Sequence, residues 1–268
     1  MTTAAEPLVK RDPDPLVRRD RDTRGVIVLT LNRPQAFNAL SEAMLAALQR
    51  ELDAIASDEA VRVVVLAAEG RAFCAGHDLK EMRAQPSLEY YRGLFAQCTR
   101  MMLTLRRLPV PVIARVQGIA TAAGCQLVAQ CDLAVASSAA RFAVSGVNLG
   151  LFCSTPSVPL SRNVARKQAF EMLVTGEFID AAQAQARGLV NRVVEPARLD
   201  AEIETLAASI VAKPRAVVAM GKELFYRQGE LGMEAAYDAA GETMACNMMD
   251  AAALEGVQAF IEKRKPRW

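Results

Sequence analysis

The chain reads as an α/β core followed by a helical module. Three observations lead there. Apolar, β-branched runs alternate with alanine-rich amphipathic stretches from Val26 to Val194, and strand signals stop after about Ala197. The 268 residues, 52% hydrophobic and 23% charged, suffice for one large core with a smaller helical appendage. The expected divisions are a flexible arm over residues 1–24, an α/β core over 25–196 and a helical module over 197–268.

Met1 to Arg24 interleaves arginines with Asp12, Asp14, Asp20 and Asp22 and carries Pro13 and Pro15, which suits a solvated arm. Val26 to Leu31 is a β-branched strand candidate. Ser41 is placed to cap a helix whose Met44, Leu48, Leu52 and Ile55 share one face. Val61 to Ala67 is apolar enough for a strand buried on both sides. Val112 to Val116, Asp132 to Ala136 and Val190 to Val194 continue the series, separated by alanine-rich helical stretches. Ala197 to Ala212, Pro214 to Gln228, Met233 to Met249 and Asp250 to Lys263 then suit helices, with Pro214 at a first helical position. Met233, Met244, Met248 and Met249 read as core or subunit-contact residues rather than a cofactor box.

Composition removes several function classes. A net charge of +2 without a long basic run before the last residues argues against nucleic acid or a membrane surface as partner, so any cationic site is local. No stretch of 18 apolar residues is present to span a membrane. Six cysteines form no C-x-x-C pair, and His77 is the only histidine, so no metal site is expected. Scattered cysteines fit a reducing compartment, and the acids of the arm do not fit a mitochondrial presequence, so the expected location is cytoplasmic.

Chemistry concentrates in two segments, FCAGHDLK at Phe73 to Lys80 and QGIATAAGCQL at Gln117 to Leu127. Both put glycine and alanine where larger side chains would obstruct a ligand, so main-chain amides can reach a substrate oxygen. In the second, small residues precede an apolar helical run. The amide of Ala123 is therefore expected at a helix N-terminus, with Gly118 and Gly124 allowing close packing. Asp78 reads as a loop-capping residue and Asp132, in CDLAVAS, as the start of a structural strand.

NRPQAFNAL (Asn32 to Leu40), FCAGHDLKEM (Phe73 to Met82), PVPVIARVQGIATAAGCQLVAQCDLAVAS (Pro109 to Ser137) and TGEFIDAAQAQARGLVNRVV (Thr175 to Val194) resemble the enoyl-CoA hydratase/isomerase, or crotonase, superfamily. The resemblance runs from about Val26 to the C-terminus. It implies a spiral of strand-strand-helix units with a C-terminal helical trimerisation module, assembling as a homotrimer or as a homohexamer of paired trimers. It implies an acyl-CoA thioester as ligand, with coenzyme A entering as part of the substrate and no cofactor bound permanently.

By motif position, the resemblance assigns the amides of His77 and Ala123 to the thioester oxygen. It sets CoA against Arg33, Gln35, Phe37, Ala39, Ala75, Asp78, Leu79 and Lys80, with Phe260 and Lys263 supplied from the C-terminal region, Lys263 by a neighbouring subunit. Gly124, Cys125, Ser145, Asn148, Cys153 and Ser154 border the implied acyl pocket, and Gln85 to Tyr91 is read as a loop shaping its tunnel. A thiolate at Cys125 or Cys153 is one substitute base or nucleophile. The His77 imidazole, which titrates near neutrality if exposed, is another.

One departure governs the chemistry. Hydratases of this superfamily use two glutamates, and the corresponding positions here hold Gln126 and Gly146. A carboxamide does not exchange a proton near neutral pH, and glycine offers no side chain. Efficient two-carboxylate hydration is therefore not expected, and glutamate restored at both positions is expected to raise it. The alternatives are a related enolate reaction, an acyl-CoA-binding protein that has lost catalysis, and a serine hydrolase, against which the single histidine argues.

Overall fold

A computed structural model of the protein describes residues 14–84 and 86–268. In chain order the first elements are β1 (Val17–Arg21), β2 (Val26–Leu31), α1 (Glu42–Ala56), β3 (Val63–Ala68), β4 (Ala72–Cys74), α2 (Leu79–Ala84) and α3 (Leu88–Arg107). Then come β5 (Val112–Val116), β6 (Ile119–Thr121), α4 (Ala123–Gln130), β7 (Leu133–Ser137), β8 (Arg141–Ala143), α5 (Ser154–Asn163), α6 (Arg166–Thr175), β9 (Ile179–Asp180), α7 (Ala181–Ala186) and β10 (Arg192–Val194). The chain ends in α8 (Leu199–Val211), α9 (Arg215–Gln228), α10 (Met233–Met248) and α11 (Ala251–Ile261).

The strands form a six-stranded sheet in the order β1-β2-β3-β5-β7-β10 and a four-stranded sheet in the order β4-β6-β8-β9. Consecutive strands step from the first sheet to the second: β3 then β4, β5 then β6, β7 then β8. A helix follows each pair, so three strand-strand-helix turns wind side by side. β3, β5 and β7 pair in parallel, as do β4, β6 and β8. This is the expected spiral, and its repeat is one of structure, carried by three-residue strands too short to leave a period in sequence.

The elements form for ordinary reasons. Ser41 caps α1 by accepting from the Met44 amide at 3.2 Å, and Met44, Leu48, Leu52 and Ile55 are all buried. Every residue of β3 is buried, as a central parallel strand covered on both faces requires. α8 covers part of the outer face of the large sheet, packing Leu199, Ile203 and Leu206 against Val26, Val63, Val65 and Ile113.

Part of the expected arm is a strand. Val17–Arg21 pairs antiparallel with β2 at the sheet edge, where Val17 alone is buried and the four charged residues face outward. Alternating charges keep such an edge soluble, which is why the segment resembles a solvated tail. The rest of that expectation, residues 1–13, lies outside the described residues. Leu88 to Tyr91, read as loop, are the first turn of α3, capped by Ser87; Gln85 lies outside the described residues. Pro214 is the N-cap of α9, one position before the helix.

The methionines at 233, 244, 248 and 249 are exposed, so they are not core of this chain. None of α9 and α10 is buried, and in α11 only Ala259 is. What secures α9 is a polar anchor. Lys222 Nζ, buried, donates to Asp132 Oδ2 at 2.7 Å and to the carbonyls of Val110 and Leu105 at 3.0 and 3.1 Å, while Tyr226 donates to Asp132 Oδ1 at 2.7 Å. Asp132 Oδ2 also accepts from the Val112 amide at 2.6 Å, so its role at the strand start is structural.

Candidate active site

The site begins where the segment following β2 meets the exit of β4. Asn38, fully buried, holds the first of these: Nδ2 donates to the carbonyls of Glu69 and Ala72 at 2.8 and 2.9 Å, and Oδ1 accepts from the Arg33 amide at 2.9 Å. Phe37 and Asn38 take left-handed φ values of 51° and 53° to make the turn. Leu40 then lies beside His77: its amide donates to the Gly76 carbonyl at 2.8 Å, and its carbonyl accepts from the Asp78 amide. Pairing on either side of His77 leaves the His77 amide between the two bonds, and among the described residues it has no acceptor.

The second half is the start of α4. Ala122, its N-cap, has φ 50° and ψ −120°, a conformation that costs a non-glycine residue about 1–3 kcal/mol and is commonest at functional sites. Its amide donates to the Ala143 carbonyl at 3.0 Å, fixing the turn to β8. Ala123 is the first helical residue, so its amide has no intrahelical partner, and none elsewhere among the described residues.

The segments that carry the two amides abut. Gly76 has φ +97°, and a Cβ on it would stand 3.4 Å from the Ala123 nitrogen and 3.0 Å from Ala122 Cβ. A Cβ at Gly124 would stand 2.0 Å from the Cys74 carbonyl oxygen, so α4 packs directly on the β4 backbone. Glycine at 76 and 124 therefore lets the segment before His77 pack closely against the start of α4.

Around them, Gln126 is buried in the first turn of α4, and its Oε1 has no hydrogen-bond partner. Gly146 is buried in the 3-10 turn Ser145–Leu149, where its amide donates to Cys153 Sγ at 3.3 Å. A Cβ there would stand 2.5 Å from the Leu151 carbonyl oxygen and 2.7 Å from that sulfur. No side chain fits residue 146 without rebuilding residues 146–153, so glutamate restored at both positions does not follow from this fold. Ser145 shares a 2.8 Å hydrogen bond with Thr121, Asn148 donates to the Gly176 carbonyl, and Ser154 Oγ donates to the Phe152 carbonyl, all away from any base.

The substitute bases fail on electrostatics. Burial pushes the Cys125 thiol up to about 12 and raises that of Cys153, so both stay protonated at neutral pH. The His77 ring is not exposed. Nδ1 lies 3.3 Å from the Leu40 carbonyl, the ring stacks edgewise on Phe95, and Nε2 is buried without a partner. Burial holds the imidazole below its ordinary value, and so neutral.

The residues expected to hold CoA divide in two. Arg33, Gln35, Phe37, Ala39, Ala75, Asp78, Leu79 and Lys80 come together, tied by the Ala75 amide to the Phe37 carbonyl at 3.0 Å and by Arg33 Nη1 to Asp78 Oδ2 at 2.9 Å. Asp78 also caps α2 through the amides of Lys80 and Glu81. Lys80 is exposed and in no ion pair among the described residues. Arg71, which sequence reasoning missed, lies 4.6 Å over the Phe37 ring. Phe260 and Lys263 stand apart at the end of α11, exposed, with no hydrogen bond or ion pair of theirs reaching this cluster. Asn38 was missed too; its place in NRPQAFNAL between a strand and a capped helix was the available signal.

A groove of about 680 Å³ lies elsewhere, on the outer face of the large sheet beside α8, lined by Thr30, Ala67, Arg115, Gln117 and Asp200 among others. Two ion pairs lie within its lining, Arg115 with Asp200 at 2.6 Å and Arg24 with Glu204, and neither His77 nor Ala123 lines it.

Comparison with known proteins agrees with this architecture. The family model described as enoyl-CoA hydratase/isomerase matches residues 21–268. A crystal structure of an enoyl-CoA hydratase from Mycobacterium smegmatis is 71% identical, with a TM-score of 0.94 over 95% of this chain and 99% of that one. The crystal structure of human enoyl-CoA hydratase domain-containing protein 3 is 44% identical, with a TM-score of 0.91 over 94% of this chain and 100% of the other. The Xenopus laevis protein of that name is 48% identical over 91% of this chain and 83% of its own length. It and its mouse, rat, human and zebrafish counterparts, at 43–48% identity, are named as mitochondrial, which overturns the cytoplasmic expectation. Free cysteines report a reducing environment, not which compartment supplies it.

Proposed function

The chain belongs to the enoyl-CoA hydratase/isomerase family, and on that premise we propose that it binds an acyl-CoA thioester with the carbonyl oxygen between the amides of His77 and Ala123. The observation that carries this reading is a pair of unpartnered main-chain donors on two segments that pack closely together, one of them at a helix N-terminus. Removing a proton beside a thioester, or adding to a conjugated double bond, moves negative charge onto that oxygen. A preorganised donor aimed there is worth about 3–4 kcal/mol in the transition state. The strained Ala122 and the left-handed Gly76 support preorganisation, since both hold the backbone before any ligand arrives.

The ligand's nucleotide end would lie against the cluster of Arg33, Lys80 and Arg71, whose positive charges suit phosphates. Coenzyme A is here part of the substrate, not a resident group. Phe260 and Lys263 would reach it from a neighbouring subunit; both are exposed, and no hydrogen bond or ion pair ties either to the cluster of its own chain among the described residues. The exposed apolar side chains of α9 to α11, including Phe225, Met233, Tyr237 and Phe260, favour burial in a homotrimer or in paired trimers.

The reaction is of lyase or isomerase type through a thioester enolate, with the two-carboxylate hydration step excluded from the proposal. Gln126 and Gly146 favour a second reading, an acyl-CoA-binding protein with deficient catalysis. Calorimetric titration with butyryl-CoA tests what both share, and binding is expected. Its absence overturns both. Crotonyl-CoA hydration separates them from an ordinary hydratase: turnover far below that of a two-glutamate relative is expected.

A further inference from the structure

α11 ends in a closed turn of the Schellman type. The Lys263 amide donates to the Phe260 carbonyl at 3.2 Å and the Arg264 amide to the Ala259 carbonyl at 3.0 Å, which puts Lys263, with φ 56°, at the left-handed position that glycine fills at least cost. A lysine there is strained, so its surroundings must hold it. The following segment supplies the hold. The Glu255 carboxylate accepts from Arg264 Nη1 and Nη2 at 2.6 and 2.9 Å and from the Arg267 amide at 2.8 Å, which turns the chain back along α11. The Trp268 ring then sits on Gly256, where a Cβ would stand 3.3 Å from Cζ3. Glycine weakens a helix interior, and here it makes the seat for that ring. Trp268 Nε1 donates to the Ala212 carbonyl at 3.0 Å, at the C-cap of α8. No other hydrogen bond among the described residues ties residues 251–268 to anything before α10.

We propose, resting on the acyl-CoA reading above, that Trp268 is a positioning residue: it latches the end of α11 to α8 and so holds the Lys263 ammonium where it meets the phosphates of CoA bound to a neighbouring subunit. α8 is packed on the large sheet, so the latch refers Lys263 to the core of its own chain. α11 alone gives little purchase, with Ala259 its one buried residue. The charges divide accordingly. Arg264 is spent on Glu255 and Glu262, whereas Lys263 is exposed and in no ion pair among the described residues. Fixing the backbone of a long, flexible cation before the ligand arrives reduces the freedom lost on binding, which is how a residue that never touches CoA raises affinity for it.

The test is calorimetric titration with butyryl-CoA of the wild type, Trp268→Ala, Lys263→Gly and the double variant, with urea melts of each. Each single variant is expected to bind about tenfold more weakly, the size of one charge-assisted hydrogen bond. The double variant should bind no more weakly than Lys263→Gly, because the latch acts only through Lys263. Lys263→Gly should also melt at higher urea than the wild type, since glycine takes the left-handed φ freely; affinity lost while stability is gained separates ligand contact from fold. Unchanged affinity in Trp268→Ala overturns the proposal and leaves acyl-CoA binding intact. So does a double variant that loses the product of the two single factors, which assigns Trp268 to the fold or the assembly rather than to Lys263. Failure of the wild type to bind butyryl-CoA overturns the acyl-CoA reading and this proposal with it. Should Trp268→Ala not fold, Glu255→Gln, which loosens the same segment, takes its place in the cycle with the same outcomes.

Discussion

The amide of Gly146 donates to Cys153 Sγ at 3.3 Å, and that same sulfur lies 2.7 Å from where a Cβ on residue 146 would stand. The position is closed by the chain around it. Gly146→Glu is therefore expected to lose stability, by at least the roughly 1–3 kcal/mol of an overpacked site, and to gain no crotonyl-CoA hydration. Urea melts and a hydration assay on the same preparation check both halves.

Gln126→Glu behaves differently, because the side chain is already long and its place already exists. The new carboxyl enters a buried site, so its pKa should be raised and the fold weakened somewhat. Hydration of crotonyl-CoA should nonetheless rise by about a hundredfold, the lower range for one positioned acid-base group. A pH-rate profile with a new limb near neutrality would identify the carboxyl as its source.

Lys222 and Asp132 hold the helical module to the sheet, and burial pulls the Lys222 ammonium below its ordinary value despite the carboxylate beside it. Lys222→Met should cost about 3–5 kcal/mol, since it leaves Asp132 buried with one charge unmatched. The double variant with Asp132→Asn should recover part of that loss. Denaturant unfolding of the three proteins measures the recovery.

As the only histidine, His77 gives a single imidazole signal. Burial disfavours its charged form, so NMR should show it titrating below its ordinary value of 6.5. The sign for stability follows. As pH falls through 6.5 the unfolded chain takes the proton first, so this group's contribution is complete above that value and fades as the pH falls toward the lower folded value. His77→Asn should accordingly lose less stability than the wild type between about pH 7 and pH 5.

Long elements were legible in sequence. Val26–Leu31 and Val112–Val116 appear where their β-branched runs stand, and Ser41 caps the helix it precedes. β4, β6 and β8 were not legible as strands, because three residues carry no period, yet they form the sheet that the site is built on. Charge alternation concealed β1, whose outward residues look like those of a tail. The motifs singled out Gly76, His77, Ala123 and Gly124, whose segments pack together in the fold. They could not show that residue 146 is sterically closed, that the thiols of Cys125 and Cys153 are buried, or that Gln126 Oε1 lacks a partner. Those facts depend on contacts between segments far apart in the chain.

Whether the amides of His77 and Ala123 grip a thioester oxygen can be read from the bond they would polarise. In an isotope-edited infrared spectrum of butyryl-CoA labelled with carbon-13 at the thioester carbon, the carbonyl stretch should fall to lower frequency on binding. A bound ester whose carbonyl absorbs where the free ester does would contradict it.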